Sequence, residues 1–182
     1  PDGALREVLR LRPMDRLDLL GTQADGSLLM AGNPGGNFRR VMRLDANGRL
    51  QTLHEDPRGE ADLDEVVIDP RTQQPLAASY RSTVAATYGI GDAQAVVANI
   101  TRKFPGRDIS LQAGSGPSAR WLVSERSATL RDPRWYLYDP SNGSLRRILD
   151  DPGIVANSPP ESNLARKLAI AYTASDGRRV HG

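Results

Sequence analysis

The sequence predicts an all-β fold: a partial β-propeller of about three to four antiparallel blades with one inserted helix at about Asp92–Phe104. Two observations support this fold class. Short runs in which polar and apolar residues alternate recur along the chain, and this period puts neighbouring side chains on opposite faces of a sheet. Turn formers such as Asp139–Gly143 separate the runs, since proline fixes one φ and Asn-Gly accepts positive φ.

The same strand–turn–strand pattern occurs twice. The turns Asp45–Gly48 and Asp139–Gly143 begin 94 residues apart, each between two such runs. That distance equals about two propeller repeats of roughly 40–50 residues. A third, looser copy of the turn is expected at Asp69–Pro75, between Val66–Ile68 and Leu76–Ala78. The repetition therefore favours blades of antiparallel strands joined by hairpins.

The first 90 residues are predicted to form strands and hairpin turns. Leu5–Leu11 is interpreted as a strand because Pro13 ends it early, although a short helix is the alternative. Asp25-Gly26 and Asn33–Asn37 are predicted hairpin turns. The other predicted strands in this part are Arg16–Gln23, Ser27–Asn33, Phe38–Leu44, Arg49–His54 and the β-prone segment Tyr80–Tyr88.

Asp92–Phe104 is predicted to be a helix because its apolar residues recur at helical spacing. Asp92 is the expected N-cap, and Pro105-Gly106 stops the helix. Arg102 and Lys103 stand at the negative end of the helix dipole. The apolar stripe consists of Ala93, Val96, Val97, Ile100 and Phe104. Such a helix is expected to pack against a sheet edge or a face of the ring.

The last third of the chain returns to strands. Predicted strands lie at Asp108–Gln112, Trp121–Val123, Arg134–Tyr138 and Ser144–Leu149, with a turn at Gly114–Pro117 and polar residues at Ser124–Asp132. Trp121, Trp135 and Leu137, or their strand neighbours, are the expected core of this blade because they are its bulkiest apolar residues. We expect residues 1–149 to form the partial propeller, 150–166 a turn-rich linker, and 167–182 the first strands of a truncated further domain, with a turn at Ser175–Gly177.

Composition excludes several classes of protein. Lys and Arg total 24 and Asp and Glu total 22, and the basic residues are scattered, so no nucleic-acid partner is expected. The absence of cysteine excludes disulfides and thiolate sites. No apolar run approaches the ~18 residues of a membrane span, so no membrane partner is expected. The sequence starts at Pro1 and stops at Gly182 after a strand pattern, as expected of a piece of a longer protein.

The segments that could suggest a catalytic or phosphate-binding motif lack residues that those motifs require. Neither Ser115 nor Ser118 has the G-x-S-x-G pattern that a strained nucleophile turn needs. His54 is interpreted as a half-exposed residue at a strand edge, and His181 stands near the end of the sequence. Asn33–Asn37 lacks the Lys-Ser/Thr of a phosphate loop, which favours a hairpin turn. We predict no catalytic, cofactor-binding or metal-binding residue in these 182 residues, and no cofactor.

Two further clusters have alternative interpretations. The acidic residues Glu60, Asp62, Asp64 and Glu65 suggest a calcium site, but they lack the spacing of a calcium loop. A solvated turn with Leu63 tucked in is therefore favoured. The aromatic residues Trp121, Trp135, Tyr136 and Tyr138 could stack on a ligand, but at alternating strand positions a core role is favoured.

Residues 168–182, LAIAYTASDGRRVHG, resemble the start of the hydrolase domain in the prolyl oligopeptidase family of serine peptidases. Upstream, the segments DEVVIDPRTQQPLAASY, KFPGRDISL and WLVSERSATLRDPRWYLYDPSNGSLRRIL are similar to the later propeller blades of acylaminoacyl-peptidase-like members. The resemblance runs from about Asp62 onward. It depends on the order of the segments more than on any one of them.

The resemblance implies that the catalytic Ser, Asp and His lie beyond Gly182, so no position here is assigned to them. It implies a non-catalytic propeller that gates the access of short peptides to a hydrolase domain of the same protein. The chain by itself is therefore expected to be inactive, and its cut faces could form a homodimer. The alternative is a non-enzymatic propeller scaffold for protein interaction. A lactonase-like propeller is disfavoured because the sequence has just two histidines.

Overall fold

The computed structural model describes residues 7–115, 119–126, 133–149, 159–165, 168 and 170–181. In these residues the fold class is the predicted one, an all-β partial propeller with open antiparallel sheets and one short α-helix. Parts of the predicted Gly114–Pro117 turn, the Ser124–Asp132 segment and the linker lie outside the described residues, as do residues 1–6, Lys167 and Gly182.

Sheet A is the antiparallel meander of residues 17–54, and its strands follow chain order. The strands are β1 (Leu17–Thr22), β2 (Leu28–Gly32), β3 (Arg40–Leu44) and β4 (Leu50–His54). Its turns are those predicted. Gly26 N–H donates to the Gln23 carbonyl over 2.9 Å, and Gly48 N–H donates to the Asp45 carbonyl over 3.0 Å. Both glycines have φ near +80°, which explains why the sequence places glycine there.

Sheet B covers residues 62–89 and has three strands, with the helical segment directly after them. The strands are β5 (Asp62–Ile68), β6 (Pro75–Arg81) and β7 (Ala85–Gly89). The Asp69–Pro75 turn joins the first and second strands of this sheet. Asp45–Gly48 instead joins the third and fourth strands of sheet A, so the expected third copy of that turn occupies a different place. The interpretation of Asp69–Pro75 as an equivalent turn was wrong.

Sheet C is the second four-stranded meander, residues 109–148. Its strands are β8 (Ile109–Ala113), β9 (Trp121–Glu125), β10 (Arg134–Asp139) and β11 (Ser144–Ile148). The Asp139–Gly143 turn joins its third and fourth strands, which matches the place of Asp45–Gly48 in sheet A. This equivalence confirms the repeat that the sequence predicts. A two-stranded sheet D follows, with β12 (Ala171–Thr173) and β13 (Arg179–His181) joined at the predicted Ser175–Gly177 turn.

The predicted helix is shorter than its sequence pattern. A 3₁₀ helix, η1 (Gly91–Ala93), precedes the α-helix α1 (Gln94–Thr101). Asp92 lies inside the 3₁₀ turn, and the residue at the N-cap of α1 is Ala93, which makes no side-chain capping bond, so the expectation for Asp92 was wrong. The apolar stripe is confirmed: Ala93, Val97, Ile100 and Phe104 are buried.

The sheets are joined in chain order by two apolar seams. At the first seam, Leu29 and Val41 of sheet A pack with Ala78 and Tyr80 of sheet B. At the second seam, the buried residues of α1 form one apolar cluster with side chains of sheets B and C. The side chains around α1 in this second cluster are Val67, Ala77, Phe104, Ile109, Leu111, Trp121, Val123 and Tyr138. Stacked meanders of this kind are quasi-modular, because each packs on its neighbours along the chain.

Helix α1 can approach sheet B closely because Gly89 ends β7. A Cβ on Gly89 would stand 2.5 Å from the Cα of Gln94 and 2.7 Å from the carbonyl oxygen of Ala93. Phe104, just after the helix, meets Tyr136 of β10 edge to face with ring centroids 5.2 Å apart. The helix therefore packs on sheet B, and Phe104 just after it contacts sheet C.

One expectation about an apolar segment fails, and another is confirmed in part. Residues 7–11 of the predicted first strand have no regular secondary structure; Leu9 instead packs against the face of sheet A that carries Met30 and Met42. Trp135 and Leu137 are half-buried and lie on the face of sheet C opposite Trp121, outside the three apolar clusters of the described residues. Trp121 itself is buried as expected, and the strand neighbours Tyr136 and Tyr138 join its cluster in place of Trp135 and Leu137.

Candidate functional site

His54 lies in the seam between sheets A and B. It ends β4, is half-buried, and sits 26 residues from its main partner, Tyr80 of β6. Its Nδ1 stands 2.8 Å from the Tyr80 hydroxyl oxygen. The interpretation of His54 as an edge residue is half right: the residue ends a strand, but its ring faces the neighbouring sheet.

Three rings meet at this place, which we call the aromatic seam: His54, Tyr80 and Tyr88. The His54 and Tyr80 rings are stacked, with centroids 5.6 Å apart and an interplanar angle of 23°. Tyr88 of β7 lies 5.8 Å from His54 and 6.2 Å from Tyr80. Tyr80 is fully buried, and its hydroxyl therefore needs a hydrogen-bond partner inside the protein.

The loop between sheets A and B is tied to the aromatic seam by Asp56. Its buried carboxylate accepts hydrogen bonds from the Arg58 Nε over 3.1 Å and from the Glu60 backbone N–H over 3.1 Å. Arg58 in turn reaches the Tyr80 carbonyl oxygen, 3.4 Å from its Nη2. The loop thus holds a carboxylate and a guanidinium directly beside the three rings.

Burial is the main influence on the pKa values of the titratable groups at the aromatic seam. Desolvation lowers the pKa of His54, against the opposing pull of Asp56 and Glu55. Desolvation also raises the pKa of Tyr80, and the same two carboxylates add to that rise. Burial works against the Asp56 carboxylate too, but the bonds from Arg58 and the backbone N–H groups lower its pKa. His54 and Tyr80 are therefore neutral at pH 7, whereas Asp56 is ionised.

A second cluster of polar groups lies at one end of sheet C. Glu125 is buried at the end of β9 and accepts a hydrogen bond from the Tyr136 hydroxyl over 3.0 Å. Arg107 is ion-paired with Glu125, its Nε 3.5 Å from Oε1, and also pairs with Glu161 of the 3₁₀ helix η2 (Glu161–Asn163). Arg134 of β10 pairs with Glu161 as well, over 3.6 Å. This network ties the described part of the predicted linker to sheet C.

The acidic residues after His54 are spread among separate protein partners. Asp64 pairs with Arg81 over 2.8 Å, Glu65 accepts from the Ser110 hydroxyl over 2.7 Å, and Glu60 pairs with Arg179 over 3.3 Å. Asp62 accepts a hydrogen bond from the Arg39 backbone N–H over 2.7 Å, and Leu63 is buried. In the described ranges, no group of three or more His, Asp or Glu side chains is arranged to hold a metal ion. The geometry favours the structural interpretation over the calcium site.

The other candidate site residues from the sequence, where the structure describes them, lie in a turn, a bend and a strand. Asn33–Asn37 forms the turn between β2 and β3, as predicted. Ser115 lies in a bend after β8, and Ser118 lies outside the described residues. His181 lies in β13. Sequence reasoning missed the link between His54 and Tyr80, because neither residue belongs to a motif and the contact arises from packing between sheets.

No family model, no curated protein and no solved structure matches this chain. Among the residues that the structure describes, no helix is both long enough and apolar enough to cross a membrane.

Proposed function

We propose that this chain is the non-catalytic propeller part of a serine peptidase resembling the prolyl oligopeptidase family. It would gate the access of short peptides to a hydrolase active site located beyond residue 182. The observation that carries the proposal is the order of elements: meander sheets packed in sequence, then a short hairpin at β12 and β13 on the segment that resembles the start of a hydrolase domain. Its partners would be that hydrolase domain in the same protein and a short peptide substrate.

The gate in this proposal works by size. A ring of packed sheets placed over an active site admits an extended peptide and excludes a folded domain. The seams between the sheets are lined with buried apolar side chains, which suits a rigid wall. The propeller would thus contribute selectivity, and the chemistry would reside in the other domain.

Residues 1–182 alone should have no hydrolase activity. In the described residues, the partner of the His54 ring is the Tyr80 hydroxyl rather than a serine, and the nucleophile of this proposal would lie beyond residue 182. The purified chain should not turn over peptide p-nitroanilides or p-nitrophenyl esters, and a fluorophosphonate should not label it. Stoichiometric labelling of one serine would contradict this part of the proposal.

The reading frame that encodes this chain distinguishes the gate from a scaffold for protein interaction. A G-x-S-x-G in a strand–turn–helix context, about a hundred or more residues after Gly182, supports the peptidase. The protein made from that frame should cleave short peptides, and removal of residues 1–149 should let it attack longer ones. A frame that continues with further blades and no such motif would overturn the peptidase and favour the scaffold.

We also propose that the isolated chain forms a two-fold dimer through sheet C. The face opposite the second seam carries the half-buried side chains Leu122, Trp135, Leu137 and Ile148, and no apolar cluster of the described residues includes them. A second copy can cover this face with the same face of its own. The dimer would be a property of the isolated chain and not a function of a longer protein.

Light scattering after size exclusion, across a dilution series, tests this dimer. The wild-type chain should be dimeric at tens of micromolar and dissociate on dilution. Leu137→Arg should be monomeric, since it places a charge in the proposed contact. Leu19→Arg is the matched control, because Leu19 is 60% exposed on sheet A, and it should remain dimeric. A monomeric wild-type chain at tens of micromolar would contradict the dimer.

A further inference from the structure

We propose that His54 is a pH-sensitive fastener between sheets A and B: the neutral ring holds the seam closed, and protonation of the ring loosens it. This inference does not depend on the proposed peptidase. It concerns the stability of the described sheets themselves, and it rests on the hydrogen bond, the ring packing and the burial at the aromatic seam.

The buried Tyr80 hydroxyl needs a hydrogen-bond partner inside the protein. Tyr80 has no exposed surface, and its hydroxyl oxygen lies 2.8 Å from His54 Nδ1. With the ring proton on Nε2, Nδ1 is an acceptor, and the hydroxyl can donate to it. A buried hydroxyl that loses its partner is costly, so this bond links β4 of sheet A to β6 of sheet B.

Protonation of Nδ1 removes the hydrogen-bond acceptor that His54 offers to Tyr80. The imidazolium carries N–H on both nitrogens and can no longer accept from the Tyr80 hydroxyl. The hydroxyl proton loses its acceptor, and a positive charge appears next to the Tyr80 ring, which is stacked on His54, and the Tyr88 ring, which is tilted against it. The charge is half-buried, so part of its hydration is lost as well. Rotation of the ring toward solvent restores the hydration of the charge, but it breaks the contact between the sheets.

Both acidic and basic side chains lie near the His54 ring. Glu55 and Asp56 follow His54 in the chain and favour its protonation. Arg40 of β3 pairs with Glu55 over 3.3 Å, and Arg58 pairs with Asp56 over 3.1 Å, which offsets both carboxylates. The groups that face His54 from sheet B are the hydroxyl and ring of Tyr80 and the ring of Tyr88. Burial outweighs the carboxylates and lowers the pKa of His54.

The sign of the effect follows from linkage. The folded chain binds the His54 proton more weakly than the unfolded chain, whose imidazole has a pKa near 6.5. The stabilising contribution is therefore complete above pH 6.5 and is lost as the pH falls from there through the lower folded pKa. Each unit of separation between the two pKa values raises the unfolding equilibrium constant about tenfold on the acid side.

A nuclear magnetic resonance titration of the wild-type chain tests the fastener directly. The sequence has two histidines, so the imidazole spectrum holds two sets of signals, and the His181→Gln variant assigns the remaining set to His54. His54 should titrate with a midpoint below 6.5, and its ring contacts to Tyr80 should vanish as it does so. A midpoint at or above 6.5, or contacts that persist in the protonated form, would overturn the proposal.

Urea unfolding between about pH 7.5 and about pH 5.5 provides the second test. The wild-type chain and His181→Gln should both lose stability over this range, and His54→Gln should lose clearly less. Tyr80→Phe should raise the His54 midpoint toward 6.5, because its ring loses the hydroxyl donor, while the matched deletion Tyr88→Phe should leave the midpoint nearer the wild-type value. An equal loss of stability in His54→Gln and in the wild-type chain would reject the fastener.

Discussion

Replacement of Trp121 by alanine should cost about 3–5 kcal/mol of folding free energy, the range typical of a buried tryptophan. Trp121 is 6% exposed and lies in the second seam, where sheet C meets α1 and sheet B. This cost in free energy has two parts. One is the lost free energy of transferring the indole from water into the protein interior, and the other is the cavity that the neighbouring side chains cannot fully fill. Since a domain of this size has a total stability of about 5–15 kcal/mol, urea unfolding should show a markedly lower midpoint.

Trp135→Ala is the matched control for Trp121→Ala, since both residues lie in sheet C and differ in the face they occupy. Trp135 is half-buried on the opposite face. We expect its loss to cost less than about 2 kcal/mol, measured at a concentration where the chain is monomeric. Equal destabilisation by the two substitutions would mean that both faces of sheet C belong to a packed core.

Asp56→Ala should destabilise the chain by about 2–3 kcal/mol, because it removes a buried, charged acceptor that three donors of the loop between sheets A and B share. The Asp56 carboxylate is buried and accepts bonds from the Arg58 guanidinium and from the backbone N–H groups of Arg58 and Glu60. These bonds lower the pKa of Asp56 despite its burial. The contribution is therefore present above the unfolded value of 3.8 and is lost as the pH falls through the lower folded pKa.

Asp69→Ala is the control for the Asp56 loop. Asp69 accepts from the backbone N–H groups of Arg71 and Thr72 over 2.7 and 3.2 Å in the same local pattern, but in an exposed turn. Its removal should destabilise the chain much less than Asp56→Ala does. Thermal unfolding at pH 7 compares the two variants, and Asp56→Asn should recover part of the loss. An equal effect at both positions would show that local turn formation, and not burial, sets the contribution of Asp56.

Most strands could be predicted from the sequence because their signals are local. Turns such as Asp45–Gly48 require a glycine at positive φ, and that requirement marks where one strand ends and the next begins. The start of α1 could not be predicted as well. Asp92 looks like a cap, yet Gly91, with a φ of +56°, begins a 3₁₀ turn that takes up Asp92 and moves the start of the α-helix to Gln94.

The contacts between sheets could not be predicted from periodicity. In sheet C both faces carry large apolar side chains, so alternation separates Trp121 from Trp135 and Leu137 but does not say which face is covered. The same holds at the aromatic seam. Nothing local to His54 indicates that it meets Tyr80, since that contact depends on the angle between two sheets.

Helix α1 has a consequence for how far the stack of sheets bends. The first seam is filled by side chains of the sheets themselves, whereas the second must also accommodate Val97 and Ile100 of the helix. The curvature of a repeat array accumulates from the rotation between successive units. The packing of α1 therefore contributes to one of these rotations, and a bulkier residue at the fully buried Val97 would force the helix or a neighbouring sheet to shift. The rotation between sheets B and C then depends on a helix as well as on the two sheets.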